Sequence, residues 1–401
     1  MKHIVVVGAG QAASALAFKL RALDYDGAIT LVGDEPELPY QRPPLSKAYL
    51  LGDMMRERLL LRPKSGYDDA NITVRMGEPV TAIYPQARRV KIRNEQIGYD
   101  VLVLTLGSSP IRLPKKIGGD LNGVYCVRTL GDIDAMAPHF QAGKRVVIVG
   151  GGYIGLEAAA VAAKLGLNVT VVEMAERILQ RVAAPQTANY FRTLHQSHGV
   201  KILEGVGLLE LVGDTEVKQA VLSNGQVLDV DFVIIGIGIR PNTELAQSSG
   251  LAVENGISTD ELGKTSLPDI WAAGDCASFP MGEARIRLES VPNAINHAEA
   301  VAANIMGANI AYVAKPWFWS DQYDVKLQIA GLNTGYDSVV TRPSDKPGAL
   351  SHWYYHGAKL LAVDAINAPR EFMVGKRLIE AGKSPSPGLI ASSDTALKSL
   401  L

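Results

Sequence analysis

Two glycine turns, each followed at a distance by a carboxylate, carry the plainest chemistry in this chain. Gly8, Gly10 and Ala13 follow an apolar run at residues 4–7, and Asp34 follows a second run at residues 28–32. The same order recurs with Gly150, Gly152 and Gly155 after residues 145–149, and Glu173 after residues 168–172. From first glycine to acid the spans are 26 and 23 residues, near the roughly 20-residue spacing of a dinucleotide-binding strand–helix–strand unit. In such a unit the first glycine permits a tight turn, and the second lets the backbone approach a pyrophosphate. The third position, glycine or alanine, packs helix against strand. The helix N-terminus turns free N–H groups and a positive dipole end toward the phosphates, while the acid accepts from ribose hydroxyls. One such match is weak; two in the same order predict two dinucleotide sites. A carboxylate at Glu173 repels a 2′-phosphate, so the second site is expected to take NADH, with Arg177 the one nearby cation that argues otherwise.

The elements that must hold these residues are those of an α/β protein. At about 150 residues per domain, 401 residues predict two or three domains. Lys and Arg number 40 against 41 Asp and Glu, a formal −1, which argues against a polyanion partner such as nucleic acid. A hydrophobic content of 47% suffices for sizeable cores and excludes general disorder. Only Cys126 and Cys276 are present, which excludes a disulfide scaffold and suggests a reducing compartment. Two stretches mimic membrane or secretion signals. The N-terminus has Lys2, an apolar run and small residues, but strand plus glycine turn accounts for it better than a signal peptide. Residues 146–163 are apolar except for Glu157, but their interruption by Gly150, Gly151 and Gly152 suggests strand, turn and helix. The expectation is a soluble cytoplasmic protein with no membrane partner.

Further motifs carry a family resemblance. Residues 265–275, Thr-Ser-Leu-Pro-Asp-Ile-Trp-Ala-Ala-Gly-Asp, resemble the second fingerprint of the glutathione-reductase-like flavoproteins, whose Gly-Asp aspartate binds a ribityl hydroxyl of FAD. Residues 99–107 and 232–242 resemble the strands by which that family's chain enters and leaves its NAD domain. Residues 39–47 (Pro-Tyr-Gln-Arg-Pro-Pro-Leu-Ser-Lys), 153–157 (Tyr-Ile-Gly-Leu-Glu), 289–294 (Glu-Ser-Val-Pro-Asn-Ala) and 316–322 (Pro-Trp-Phe-Trp-Ser-Asp-Gln) narrow the likeness. They resemble the NADH-dependent ferredoxin reductases that serve 2Fe-2S ferredoxins of bacterial haem monooxygenases, over essentially the whole chain.

The resemblance implies a three-layer, glutathione-reductase-like α/β fold. Two Rossmann-like dinucleotide-binding domains would be joined by a C-terminal α+β interface domain. The expected boundaries are 1–112 with 240–315 for a discontinuous FAD domain, 113–239 for an NADH domain and 316–401 for the interface domain. Implied FAD contacts are Gly8, Gly10, Ala12, Ala13, Asp34, Arg42, Lys47, Val80, Arg128, Asp275 and Val291. Implied NAD contacts are Gly150, Gly152, Tyr153, Ile154, Gly155, Glu173 and Gly238. The partner would be a 2Fe-2S ferredoxin, and the protein a monomer or homodimer.

Disulfide reductases of the wider family place a redox cysteine pair on the helix after the first acid, but residues 42–47 here contain no cysteine. Electrons entering the flavin as hydride then have no protein disulfide to receive them, and must leave singly to an outside acceptor. The same absence argues against the NADH oxidase, peroxidase and coenzyme A disulfide reductase branches. By resemblance Lys47 sits near the flavin N5, Glu157 pairs with it and Trp319 lies beside the flavin. A surface lysine, a solvated helix glutamate and a core tryptophan are the rival roles. The helix beginning near Pro292 would aim its positive end at the flavin pyrimidine. Elsewhere, His352 and His356 fall on a predicted strand and make no helical metal pair, so no metal site is expected. His195 and His198 look like the C-terminal residues of a helix, and Pro385 and Pro387 mark a loop before a terminal helix capped by Ser393 or Asp394. Arg56, Arg58, Arg62 and Lys64 form a basic run that an acidic ferredoxin fits as well as solvent does. The rival functions are a rubredoxin or monodehydroascorbate reductase and a non-enzymatic, apoptosis-inducing-factor-like binding module.

Overall fold

The computed structural model describes residues 2–344 and 346–401. Its contacts divide the chain into two units. One comprises Met1–Gln41, Met55–Ser109 and Arg240–Pro316, and the other Arg42–Met54, Pro110–Ile239 and Trp317–Leu401.

The first unit is built on a parallel sheet. Strand His3–Val7 lies between Ala28–Val32 and Val101–Leu104, with Ile72–Arg75 and Ile270–Ala272 at the edges. Nearly every residue of the central strands is buried, which is why they read as continuous apolar runs rather than alternating ones. Helices Gln11–Ala22 and Val291–Ile305 cover one face, bringing Ala13, Leu16, Ala298 and Ala302 against Ile4, Val6 and Leu31. Against the other face Val5, Val7 and Leu104 meet Ile83, Val90 and Ile92 of a three-stranded antiparallel sheet. Helix, sheet and sheet give the expected three layers.

The second unit repeats the plan. Strand Arg145–Val149 lies between Asn168–Glu173 and Phe232–Ile235, flanked by Lys201–Glu204 and Val124–Cys126, all parallel. Helix Tyr153–Lys164 follows the central strand, so the apolar stretch at 146–163 is strand, turn and helix. Among the described residues no helix is long and apolar enough to cross a membrane. The C-terminal part adds five antiparallel strands in the order Trp317–Gln322, Val325–Gly331, Lys359–Ile366, Leu350–His356, Ser338–Pro343. Helix Pro369–Glu380 packs Phe372 and Leu378 onto Trp353 and Val363 of that sheet. The α/β fold with two Rossmann-like domains and an α+β C-terminus is therefore the one the sequence predicts.

One expected element is different. The terminal helix is Pro387–Ala391, with Ser386 at its N-cap position, and Ser393 and Asp394 lie beyond it rather than capping a later helix. The proline starts the helix because its fixed φ and missing N–H suit the first turn. Only a 3-10 turn, Leu397–Leu400, follows.

The C-terminal sheet buries a carboxylate. Asp364 Oδ2 accepts from Thr187 Oγ1 at 2.7 Å and from the Tyr354 hydroxyl, while Oδ1 has no partner. Burial raises its pKa to about 6. A carboxyl raised in the folded state favours folding below its unfolded pKa and loses that contribution as pH rises through the folded value. Asp364→Asn escapes the loss. Urea unfolding is expected to show the variant gaining on wild type by up to about 3 kcal/mol between about pH 4 and about pH 7.

Candidate functional site

Both glycine turns have the geometry of a phosphate cradle. Gly8 and Gly150 adopt φ of +101° and +108°, and a Cβ on either would drive into a carbonyl oxygen, that of Thr105 or of Gly236. A Cβ on Gly155 would strike the Gly150 carbonyl, so helix and turn close tightly there. Gly10 and Gly152 are different: nothing lies within 4 Å of where a Cβ would be. Each is the N-cap of the helix that follows, and neither helix has a side-chain cap. The first turn of each helix is thus left without a side-chain cap beside an open turn, and a dinucleotide pyrophosphate fits each turn.

The expected flavin contacts divide between the units. Gly8, Gly10, Ala12, Ala13, Asp34, Val80, Asp275 and Val291 belong to the first. There a Cβ on Gly274 would come 3.1 Å from Ala12 and 3.9 Å from Ala294, so three motifs converge: the glycine turn, the Gly274–Asp275 turn and the helix starting at Val291. Ser290 caps that helix by accepting from Asn293 N, and Asp275 Oδ2 accepts from Ser108 Oγ at 3.0 Å. Asp34 is exposed just past its strand, and Val80 opens a strand of the antiparallel sheet. Arg42, Lys47 and Arg128 belong to the second unit, where Arg42 Nη1 donates to the Arg128 carbonyl at 2.8 Å.

All of the expected nicotinamide-nucleotide contacts lie in the second unit. Glu173 Oε2 accepts from Gly151 N at 2.7 Å and Oε1 from Ala175 N at 2.8 Å, so its carboxylate is pinned beside the cradle. Tyr153 and Ile154 start the helix; the Tyr153 hydroxyl is buried without a partner, and Ile154 is exposed. Gly238, at φ +113°, sits beside the Arg181 guanidinium.

Lys47 and Glu157 meet. Two prolines make Pro43–Ser46 a rigid 3-10 turn, and Lys47 leaves it with Nζ 2.7 Å from Glu157 Oε2. Ser46 Oγ donates to the same oxygen, and Ser320 Oγ to Oε1, each at 2.7 Å. The carboxylate is 4% exposed and the lysine 18%. A carboxylate so buried requires a cation and donors, and here it has three. Trp319 precedes Ser320 on strand Trp317–Gln322 and therefore points to the opposite face, half-buried, its ring 5.6 Å from that of Trp317. Ser46, Ser108 and Ser320 were missed from sequence, although Ser46 and Ser320 stand inside motifs already singled out.

Neither thiol is poised for redox work. Cys126 and Cys276 are free and buried, and burial pushes the Cys276 thiol up to about 11 and raises that of Cys126. Among the described residues, no cluster of three or more His, Cys, Asp or Glu could hold a metal.

Residues 2–298 match the family described as pyridine nucleotide-disulphide oxidoreductase, and residues 317–401 match the reductase C-terminal family. The chain is 42% identical over 399 residues to rhodocoxin reductase of Rhodococcus erythropolis, covering 98% of this chain and 93% of that one. It is 40% identical over 407 residues to putidaredoxin reductase of Pseudomonas putida, covering 100% and 96%. Among solved structures, the covalent putidaredoxin reductase–putidaredoxin complex matches with a TM-score of 0.95 at 39% identity, covering 100% of this chain and 98% of that one.

The Glu157 site makes a stability prediction. Glu157→Ala strands Lys47 and two hydroxyls and is expected to cost about 3 kcal/mol in urea unfolding. Glu157→Gln keeps an oxygen for Ser320 and is expected to cost about 1–2 kcal/mol.

Proposed function

Because this chain belongs to the pyridine nucleotide-disulphide oxidoreductase family, we propose that it is an FAD-dependent NADH:ferredoxin reductase, passing single electrons to a 2Fe-2S ferredoxin that feeds a haem monooxygenase. Use of a flavin and of a nicotinamide nucleotide comes with the family; FAD, NADH and the residues that hold them are the proposal. The observation that carries it is the combination of two open phosphate cradles with no thiol able to receive electrons. The relatives' names support the acceptor, since rhodocoxin reductase and putidaredoxin reductase are named for their redox partners. The domain division 1–112 with 240–315, 113–239 and 316–401 belongs to the same proposal.

Bound FAD would supply the chemistry, accepting hydride at N5 and releasing electrons one at a time. Gly10 and the helix behind it hold the FAD pyrophosphate, Asp34 its ribose and Asp275 its ribityl chain. Arg42, Val80 and Arg128 complete the cofactor contacts. The helix at Val291 directs its positive end at the pyrimidine ring. Gly152 and its helix hold the NADH pyrophosphate, with Tyr153, Ile154, Gly155 and Gly238 lining the nucleotide. Glu173 accepts from the ribose and repels a 2′-phosphate. Lys47 offers a fixed ammonium to the flavin, Glu157 keeps that ammonium in place, and Trp319 flanks the ring.

The test is spectroscopic. The purified protein is expected to be yellow, to bleach at least about tenfold faster with NADH than with NADPH at equal subsaturating concentration, and to reduce a 2Fe-2S ferredoxin in preference to rubredoxin or monodehydroascorbate. Gly10→Val fills the first cradle and is expected to yield colourless protein. Gly152→Val fills the second and is expected to stay yellow but fail to bleach. A colourless wild type, or Gly10→Val protein that keeps its flavin, would sink the assignment of tenants.

A further inference from the structure

The polar contacts around Glu157 do not end at Ser320. Gln322, two residues along the same strand and so on the same buried face, donates from Nε2 to Ser320 Oγ at 3.2 Å. Its Oε1 accepts from His195 Nε2 at 2.8 Å, and His195 Nδ1 lies 3.2 Å from the Tyr323 hydroxyl. Ser320, Gln322 and His195 are wholly buried. Tyr323 is half-buried, and its ring stacks 3.7 Å from that of the exposed His198. An unbroken chain of hydrogen bonds thus links Glu157 to the protein exterior.

Such a chain runs in one of two directions. In one, Tyr323 donates to His195 Nδ1, His195 Nε2 donates to Gln322, Gln322 to Ser320 and Ser320 to Glu157. In the other every donor is reversed, the amide turns over, and the single Ser320 proton goes to Gln322 instead. A carboxylate only accepts, so the reversed chain leaves Glu157 Oε1 without the hydroxyl proton. A hydrogen bond to a buried charge outweighs one between neutral groups, and this selects the first direction. Burial pushes the His195 imidazole down to about 4, so it carries one ring proton near neutrality and can place it on Nε2.

We propose that His195 is a positioning residue: its Nε2–H fixes the Gln322 amide, which leaves Glu157 as the only acceptor for the Ser320 proton and so helps hold the Lys47–Glu157 pair. The consequence for hydride transfer rests on the reductase function proposed above; the polarity of the chain does not. Gln322 is an amide, so the chain orients protons and does not conduct them.

Competitive acetylation of Lys47, read by peptide mass spectrometry against the exposed Lys116 in the purified full-length protein, tests the proposal. His195→Leu removes the donor, and the isosteric Gln322→Glu supplies an acceptor that draws the Ser320 proton away. Each is expected to raise the Lys47:Lys116 labelling ratio about threefold to tenfold, the scale of one lost hydrogen bond. His195→Gln puts an amide N–H where Nε2–H stood and is expected to stay within about twofold of wild type. Thermal unfolding identifies the folded variants, and Gln322→Glu carries the test if His195→Leu does not fold. Unchanged labelling in the folded variants overturns the proposal, as does an equal rise in His195→Leu and His195→Gln, which would mean packing alone. A wild type that fails to oxidise NADH yet keeps this labelling pattern would refute the reductase function and leave the positioning role standing.

Discussion

A carboxylate buried at Glu157 is the constraint on which the second unit turns. Withdrawn from water, it is tolerable only with a cation and hydrogen-bond donors in place, and losing one partner of such a pair costs several times what a surface ion pair contributes. The partners come from two separate stretches of chain: Ser46 and Lys47 from the proline turn, and Ser320 from the first strand of the C-terminal sheet. Each must be correct to within a hydrogen bond's tolerance. Two prolines stiffen the first, and strand pairing with Val325–Gly331 fixes the second. The C-terminal sheet is therefore a structural component of this site.

Elsewhere the molecule solves one problem twice. Gly8 against Thr105 and Gly150 against Gly236 are the same close approach of a turn to a neighbouring carbonyl, each at positive φ. The copies then diverge. The third position is Ala13 in one and Gly155 in the other, and only the second has a helix so close that a methyl group would meet the Gly150 carbonyl. Their acids diverge as well. Asp34 is exposed and accepts from the adjacent Glu35 N at 3.1 Å, whereas Glu173 is clamped by two backbone donors, one of them in the glycine turn itself. The second carboxylate is preorganised, which is what the proposed discrimination between a ribose hydroxyl and a 2′-phosphate would demand.

The repeated units were legible because their signals are local. Apolar runs, glycines and acids within some 25 residues of one another specify strand, turn, helix and strand, and the predicted strand at 28–32 is the observed one. Pro387 misled for the same reason: it breaks helices in general but begins this one. What sequence did not show is contact across long separations. Ser46 and Ser320 reach Glu157 from 111 and 163 residues away, and no spacing rule connects a serine to a glutamate at such distances. His195 was legible as a helix end, but its 127-residue reach to Gln322 was not. Strand alternation places Ser320 and Gln322 on one face, yet only tertiary packing determines what that face meets.

In the proposed reductase, the missing thiol and the Lys47–Glu157 pair bear on the same segment of chain. Residues 42–47, where the resemblance to disulfide reductases would place a redox cysteine pair, form a proline turn ending in lysine. A nucleophile at that point would divert a reducing pair of electrons into sulfur chemistry. An ammonium cannot accept them. It can only stabilise negative charge nearby, and does so most effectively when it is immobile and shielded from water. The four contacts that fix Lys47 and Glu157 supply that immobility, and the two cysteines present are buried with thiol pKa values raised by desolvation. In the proposed reductase this position is thereby left with electrostatics alone, and electrons delivered as a pair would have to depart to an outside acceptor.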